Sequence, residues 1–240
     1  MSLGRWQLRR LDERRAANAA ISAGMDARPG AVESMLQPGA PAPDGAEWRR
    51  IHARGRYDAS YELLVRNRPL DGRAGYYVLT PLVTESGTAM LVNRGWVAAG
   101  ATAATRPDVP TAPAGEVEVT GRLRLSERAS GHTGLPAGQV DRVSLPAIAA
   151  GLPYPIYGGY AELTEQSPAP AGDPPRLIPA PDLSEGPHLA YALQWFAFAL
   201  MAVGAWVLLF RRELAEQRDA GQRAGDPQQV AVQWSGIRRP

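Results

Sequence analysis

The sequence predicts an α+β protein: an antiparallel, barrel-like β domain of about six strands, with an N-terminal helix and one C-terminal transmembrane helix. Three observations predict it. Between residues 48 and 166, apolar side chains recur with period two in short runs separated by turn residues. From Leu189 to Phe210 the chain runs for 22 residues without a charge. Residues 5–23 are rich in helix formers and hold neither glycine nor proline.

The elements follow in order. Residues 1–27 form the N-terminal helical segment, "RWQLRRLDERRAANAAISA" at its centre, too charged to cross a membrane and suited to water or a headgroup layer. The span 28–166 is the β domain, and it opens on a Pro/Gly-rich loop over 28–46. Its strands are "WRRIHARGRYD" (48–58), "YELLVRNRP" (61–69), "GYYVLTPLV" (75–83), "TAMLVNRGWV" (88–97), "EVEVTGRLRL" (116–125) and, with a glycine bend, "YPIYGGYAELTEQ" (154–166). Asp71-Gly72 and Ser86-Gly87 supply turn chemistry between them, and the short spacing favours a meander over a doubly wound sheet. "DRVSLPAIAA" (141–150) reads as a short helix. Residues 167–187, "SPAPAGDPPRLIPAPDLSEGP", form a stiff, extended proline-rich connector. Residues 188–212 make the transmembrane helix, and 213–240 a loose polar tail.

As a helix, 22 residues cover about 33 Å, enough for a hydrocarbon layer of about 30 Å. A buried helix in a soluble core is the alternative, but such helices rarely stay apolar on every side for six turns. Ser184 is a candidate cap and Pro187 stands in the first turn. Arg211, Arg212, Arg218 and Arg223 follow the helix, whereas the approach carries Asp173, Asp182, Glu185 and one arginine, Arg176. By the positive-inside rule the tail is cytoplasmic and the bulk of the chain lies outside the cell membrane. An inverted, tail-anchored arrangement is the other orientation. The residues around "GRWQLRR" hold no apolar stretch, so the expectation is that a first membrane helix, able to carry the domain across, is missing from this chain. Ala190, Ala197 and Gly204 repeat every seven residues and offer that helix a seam.

Composition excludes several functions. The 26 basic residues are all arginine, spread among 24 acids for a net charge of +2, so no clustered positive patch points to nucleic acid. There is no cysteine for a disulfide or a thiolate site, and His52, His132 and His188 lie too far apart to share a helix face as metal ligands. No G-x-S-x-G motif or catalytic histidine context supports a hydrolase, and the chain is read as a non-enzyme.

Four blocks carry a family resemblance: "LGRWQLRR" (3–10), "VRNRPLDGRAGYYVLTPL" (65–82), "LVNRGWV" (91–97) and "GPHLAYALQWFAFA" (186–199). With them the sequence resembles the surfeit locus protein 1 family, assembly factors for cytochrome c oxidase. The resemblance implies two membrane helices bracketing an extracytoplasmic domain, and a role in handling haem a, held transiently, for the catalytic subunit of a haem–copper oxidase. That subunit, the lipid bilayer and haem a synthase are the implied partners, and nucleic acid is not among them. It also makes His188, at the head of the second helix, the candidate axial ligand to the haem iron.

The residues bear on that assignment. At 100° per residue, His188, Tyr191, Trp195, Ala199 and Ala202 fall within about 80° of one another, so aromatic rings would flank a macrocycle bound at the imidazole. Arg66, Arg68 and Arg94, on strands or their ends, are candidates to receive propionates as bidentate partners. The plain alternatives stand beside these. A histidine at a membrane interface often bonds only headgroups or water, and a nearby tryptophan often only sets depth. The "VRNRP" and "VNRGW" blocks read equally as a solvated strand face, with Gly95 and Trp96 as packing residues. Gln194 either bonds a client helix or satisfies itself. A scaffold that holds the oxidase subunit without touching haem is the alternative function.

Overall fold

The computed structural model describes residues 2–100, 107–131, 134–170, 172–186 and 188–224, with side chains at 5–186 and 190–218 within those spans. The chain divides into two compact units: Ala17–Leu183 is one, and the residues up to Ala16 together with those from Ser184 onward are the other.

The first unit is built on one mixed sheet. Its strands are β1 (Gly30–Ala31), β2 (Arg50–Tyr57), β3 (Leu63–Val65), β4 (Gly75–Thr84), β5 (Ala89–Ala98), β6 (Glu116–Arg124), β7 (Gln139–Val140) and β8 (Ile156–Ser167), in the spatial order β1-β2-β6-β8-β5-β4-β3-β7. All six strands read from the sequence are present, because period-two patterning survives whatever the partner. The antiparallel meander is corrected. β1 with β2, β3 with β7 and β5 with β8 pair in parallel, and the sheet is mixed. The reason is topological: β6 does not continue the hairpin of β4 and β5 but crosses to lie beside β2, and β8 then enters between β6 and β5. β2 also pairs with β4, Gly55 opposite Thr84 and Tyr57 opposite Leu82. That approach needs Gly55, since a Cβ there would lie 2.3 Å from the carbonyl oxygen of Val83.

Alternation places the core. On β2 and β6, Ile51, Ala53, Val117, Val119 and Leu123 turn inward to meet Leu82, Met90 and Val92. β5 is buried from Ala89 through Val97, because Met90 and Val92 face this cluster while Ala89 and Leu91 face a second one with Val65, Leu79, Leu145, Ile148 and Tyr160. The loop expected over 28–46 contributes to the core through a one-turn helix, α2 (Val32–Met35), with Val32 and Leu36 both buried. The short helix expected at 141–150 is α3 (Leu145–Ala149).

The middle of the proline-rich segment after β8 is laid on the sheet. Arg176 and Trp96 exchange both backbone hydrogen bonds, at 2.7 and 2.9 Å, and Arg122 Nη2 donates to the carbonyl oxygens of Ile178 at 2.6 Å and Pro179 at 3.3 Å.

In the second unit, α4 (His188–Ala224) continues twelve residues beyond 212, where the sequence reading ended the helix. Residues 213–218 are good helix formers, and Arg212 bonds Glu216 one turn on at 3.0 Å. Ala190–Arg218 is long and apolar enough to cross a membrane, and none of its apolar window is buried in protein. Ala190, Ala197 and Gly204 are exposed. α1 (Ser2–Asp26) reaches this unit through its first half: Arg15 grips the Glu185 carboxylate with two bonds, at 2.8 and 2.9 Å, and Arg14 Nε donates to the Ser184 carbonyl oxygen at 3.3 Å. The arginine holds the Glu185 carboxyl below its ordinary range. Past 224 the expected tail lies outside the described residues.

Candidate functional site

The "VRNRP" block begins where β3 ends. Arg66 N donates to the Val140 carbonyl oxygen at 2.8 Å, closing the parallel pairing of β3 with β7. Asn67 then takes a left-handed φ of 56°, a conformation asparagine tolerates better than most residues. The chain turns, and Arg68 N reaches the Gly75 carbonyl oxygen at 3.1 Å as β4 begins. The "NRGW" block lies on the neighbouring β5, and the indole of Trp96 donates to the Arg68 carbonyl oxygen at 2.6 Å. The two blocks, far apart in sequence, therefore make one piece of structure.

The three arginines singled out from the sequence have different surroundings. Arg94 is 3% exposed: Nη1 donates to Glu62 Oε2 at 2.9 Å, Nη2 to the Pro110 carbonyl oxygen at 2.9 Å, and the guanidinium lies over Tyr57 at 5.7 Å. Glu62 is also bonded by Thr80 at 2.8 Å. Burial pushes the Tyr57 phenol well above its ordinary range, with Arg94 pulling the other way. Arg68 gives Nη2 to both oxygens of Glu127, at 2.7 and 2.6 Å, and covers the Tyr77 ring at 5.2 Å. Arg66 has one side-chain partner among the described residues, the neutral Gln139 Oε1, at 3.0 Å. Arg66 and Arg68 line the same cavity of about 460 Å³, while Arg94 borders a smaller one of about 120 Å³ beside Pro174, Pro175 and Leu177.

His188, Tyr191 and Trp195 belong to α4, in the other unit. His188 is its first residue, and its side chain lies outside the described residues, as does the whole of His132. Tyr191 and Trp195 are exposed at 47% and 40%, and Trp195 meets Phe198 edge to face at 5.9 Å. Gln194 is exposed on the same helix.

The sequence reading missed two further features. Arg142 lines the arginine cavity from the segment leading to α3, is exposed, and has no side-chain partner among the described residues. Its sequence context, "DRVS", carries no signal for that placement, which depends on β7 pairing with β3. Arg122 on β6 forms a buried ion pair with Glu162 on β8 at 2.8 Å, both under a tenth exposed. Burial holds the Glu162 carboxyl above its ordinary range, outweighing the attraction of Arg122 and Arg124. Both residues sit at polar positions of otherwise alternating strands, and nothing local distinguishes them from solvated ones.

Comparison with known proteins gives a consistent result. The model of the SURF1 family matches residues 1–200. A SURF1-like protein of Mycobacterium tuberculosis, strain H37Rv, is 31% identical over 231 residues, covering 94% of this chain and 82% of that protein. A SURF1-like protein of Dictyostelium discoideum is 42% identical over 52 residues, 22% of this chain and 19% of that one. Surfeit locus protein 1 of Takifugu rubripes is 37% identical over 99 residues, 34% of this chain and 40% of that one.

Proposed function

The chain belongs to the SURF1 family, a family tied to cytochrome c oxidase assembly, and on that premise we propose that it is a membrane-anchored assembly factor that handles haem a for the catalytic subunit of the oxidase. The observation that carries the haem reading is the composition of α4, an exposed apolar helix headed by His188 with Tyr191 and Trp195 on the histidine's face. Haem a is cargo in this reading. The imidazole of His188 supplies the axial bond, the rings of Tyr191 and Trp195 lie against the macrocycle, and the lipid around α4 accepts its apolar parts. Arg66, Arg68 and Arg94 belong to the other unit, where Arg94 is buried in its own ion pair, Arg68 is committed to Glu127 and Arg66 bonds a neutral amide. The family's members are assembly factors, and an enzymatic step is not part of this reading.

The protein purified in detergent from cells that make haem a is expected to carry the haem absorption bands, and His188→Ala to lose them. Equal haem in both proteins, or none in either, overturns the ligand assignment. A scaffold that holds the oxidase subunit without haem is the second reading. It would copurify with that subunit equally from cells unable to make haem a, whereas a haem carrier would not.

A further inference from the structure

Two cavities of the Ala17–Leu183 unit share a wall. The larger, about 650 Å³, is bounded by the apolar side chains of Tyr61, Leu63, Ile148 and Leu152, and the other, about 460 Å³, by Arg66, Asn67 and Arg68. Ser130, Leu135, Asp141 and Arg142 line both. Each volume lies in the range of small-molecule sites. The paired charges at this place can be followed one by one. Arg68 is neutralised by Glu127 and Glu62 by Arg94, while Asp141 accepts from the Ser130 hydroxyl, a neutral donor. Among the cations that leaves the guanidinium of Arg66, whose one side-chain bond among the described residues is to a neutral amide, and that of Arg142, which no side chain among the described residues meets. Two forks whose N–H groups are not all taken up among the described residues stand where an apolar recess adjoins a polar one.

We propose that these cavities form one site for an amphipathic carboxylic acid: an apolar body seated between Tyr61, Ile148 and Leu152, and a carboxylate held by Arg142 and Arg66. Guanidinium forks match a carboxylate bidentately, and the two of them outnumber the single Asp141 carboxylate that lines the same cavities. The apolar half supplies the selectivity that two exposed arginines lack. A bare inorganic anion gains nothing from it, and an uncharged apolar molecule leaves the forks unused. The acid has two chemical sources, a porphyrin propionate or an alkyl-chain acid, and the site's chemistry is common to both. This inference does not rest on His188 or on iron.

The test uses the full chain in lipid nanodiscs and an iron-free dicarboxylate porphyrin, deuteroporphyrin IX, beside its dimethyl ester. The acid is expected to bind at least about tenfold tighter than the ester, the worth of one charge-assisted hydrogen bond. Arg142→Gln and Arg66→Gln should each erase most of that preference while leaving the ester's affinity unchanged. Leu152→Trp, which fills the apolar half, should weaken acid and ester together. Decanoate should displace the porphyrin, and inorganic phosphate at the same concentration should not. Equal binding of acid and ester, or phosphate displacing as well as decanoate, overturns the proposal. His188→Ala should leave iron-free binding untouched, so a failure of the haem reading and a failure of this one give different results.

Discussion

Gly95 sits in β5 with a φ of 137°, and a Cβ there would lie 2.6 Å from the Arg176 carbonyl oxygen. Only a residue without a side chain lets the extended segment lie this close to the sheet. Gly95→Ala is expected to lower the unfolding free energy by about 2–3 kcal/mol, from a strained backbone and a clash that nothing flexible can relieve. The same change should speed proteolysis between residues 168 and 183, as read by timed digestion and mass spectrometry. Arg122 also holds that segment, through the carbonyl oxygens of Ile178 and Pro179, and its replacement exposes a dependence on pH. In the wild type the raised Glu162 carboxyl binds its proton more tightly folded than unfolded, so its contribution to stability is largest in acid and declines as pH rises from the ordinary carboxylate range through the raised folded value. Arg122→Met removes the guanidinium paired with Glu162 and strands a buried carboxylate, costing about 3 kcal/mol at neutral pH. The cost should shrink near pH 4, where Glu162 is protonated, and denaturant titrations at the two pH values check it. Gly95 and Trp96 were legible as packing residues. The partners of Arg94 and Arg122 were not, since an arginine on a strand reads as solvated until the fold shows what covers it.

At the scale of elements, period and composition did most of the work. The six strands, the short helix near 145 and the apolar helix near the end all stand where patterning put them. Pairing did not follow, because alternation tells which face of a strand is buried and not which strand lies beside it. The two-residue strands β1 and β7 and the single turn of α2 are too short to carry a period of their own, and they exist because longer neighbours hold them. α4 gives the element-scale prediction. A charge at its centre, Ala202→Arg, should cost about 2.5–3.5 kcal/mol of membrane insertion and move protein into the soluble fraction on carbonate extraction. Gln217→Arg, beyond the uncharged stretch, should leave the protein in the membrane. Extraction of both variants alike would mean that α4 does not span.

For the whole molecule, the charge distribution around α4 sets the expected orientation: Arg211, Arg212 and Arg218 after the apolar stretch, acids before it. Protease added outside intact spheroplasts is expected to digest the Ala17–Leu183 unit and to leave a tag fused after residue 240 protected; a protected domain with a cleaved tag reverses the topology. The sequence by itself determined the α+β class, the strand positions, the membrane-length helix and the family, since each rests on local periodicity, a long uncharged run or contiguous motif blocks. Tertiary structure alone decided that the sheet is mixed, that "RNRP" and "NRGW" meet through Trp96 and Arg68, and that Arg142 joins Arg66 at one cavity. Those outcomes are set by hydrogen bonds and charge pairings between residues tens of positions apart, where no local pattern reaches.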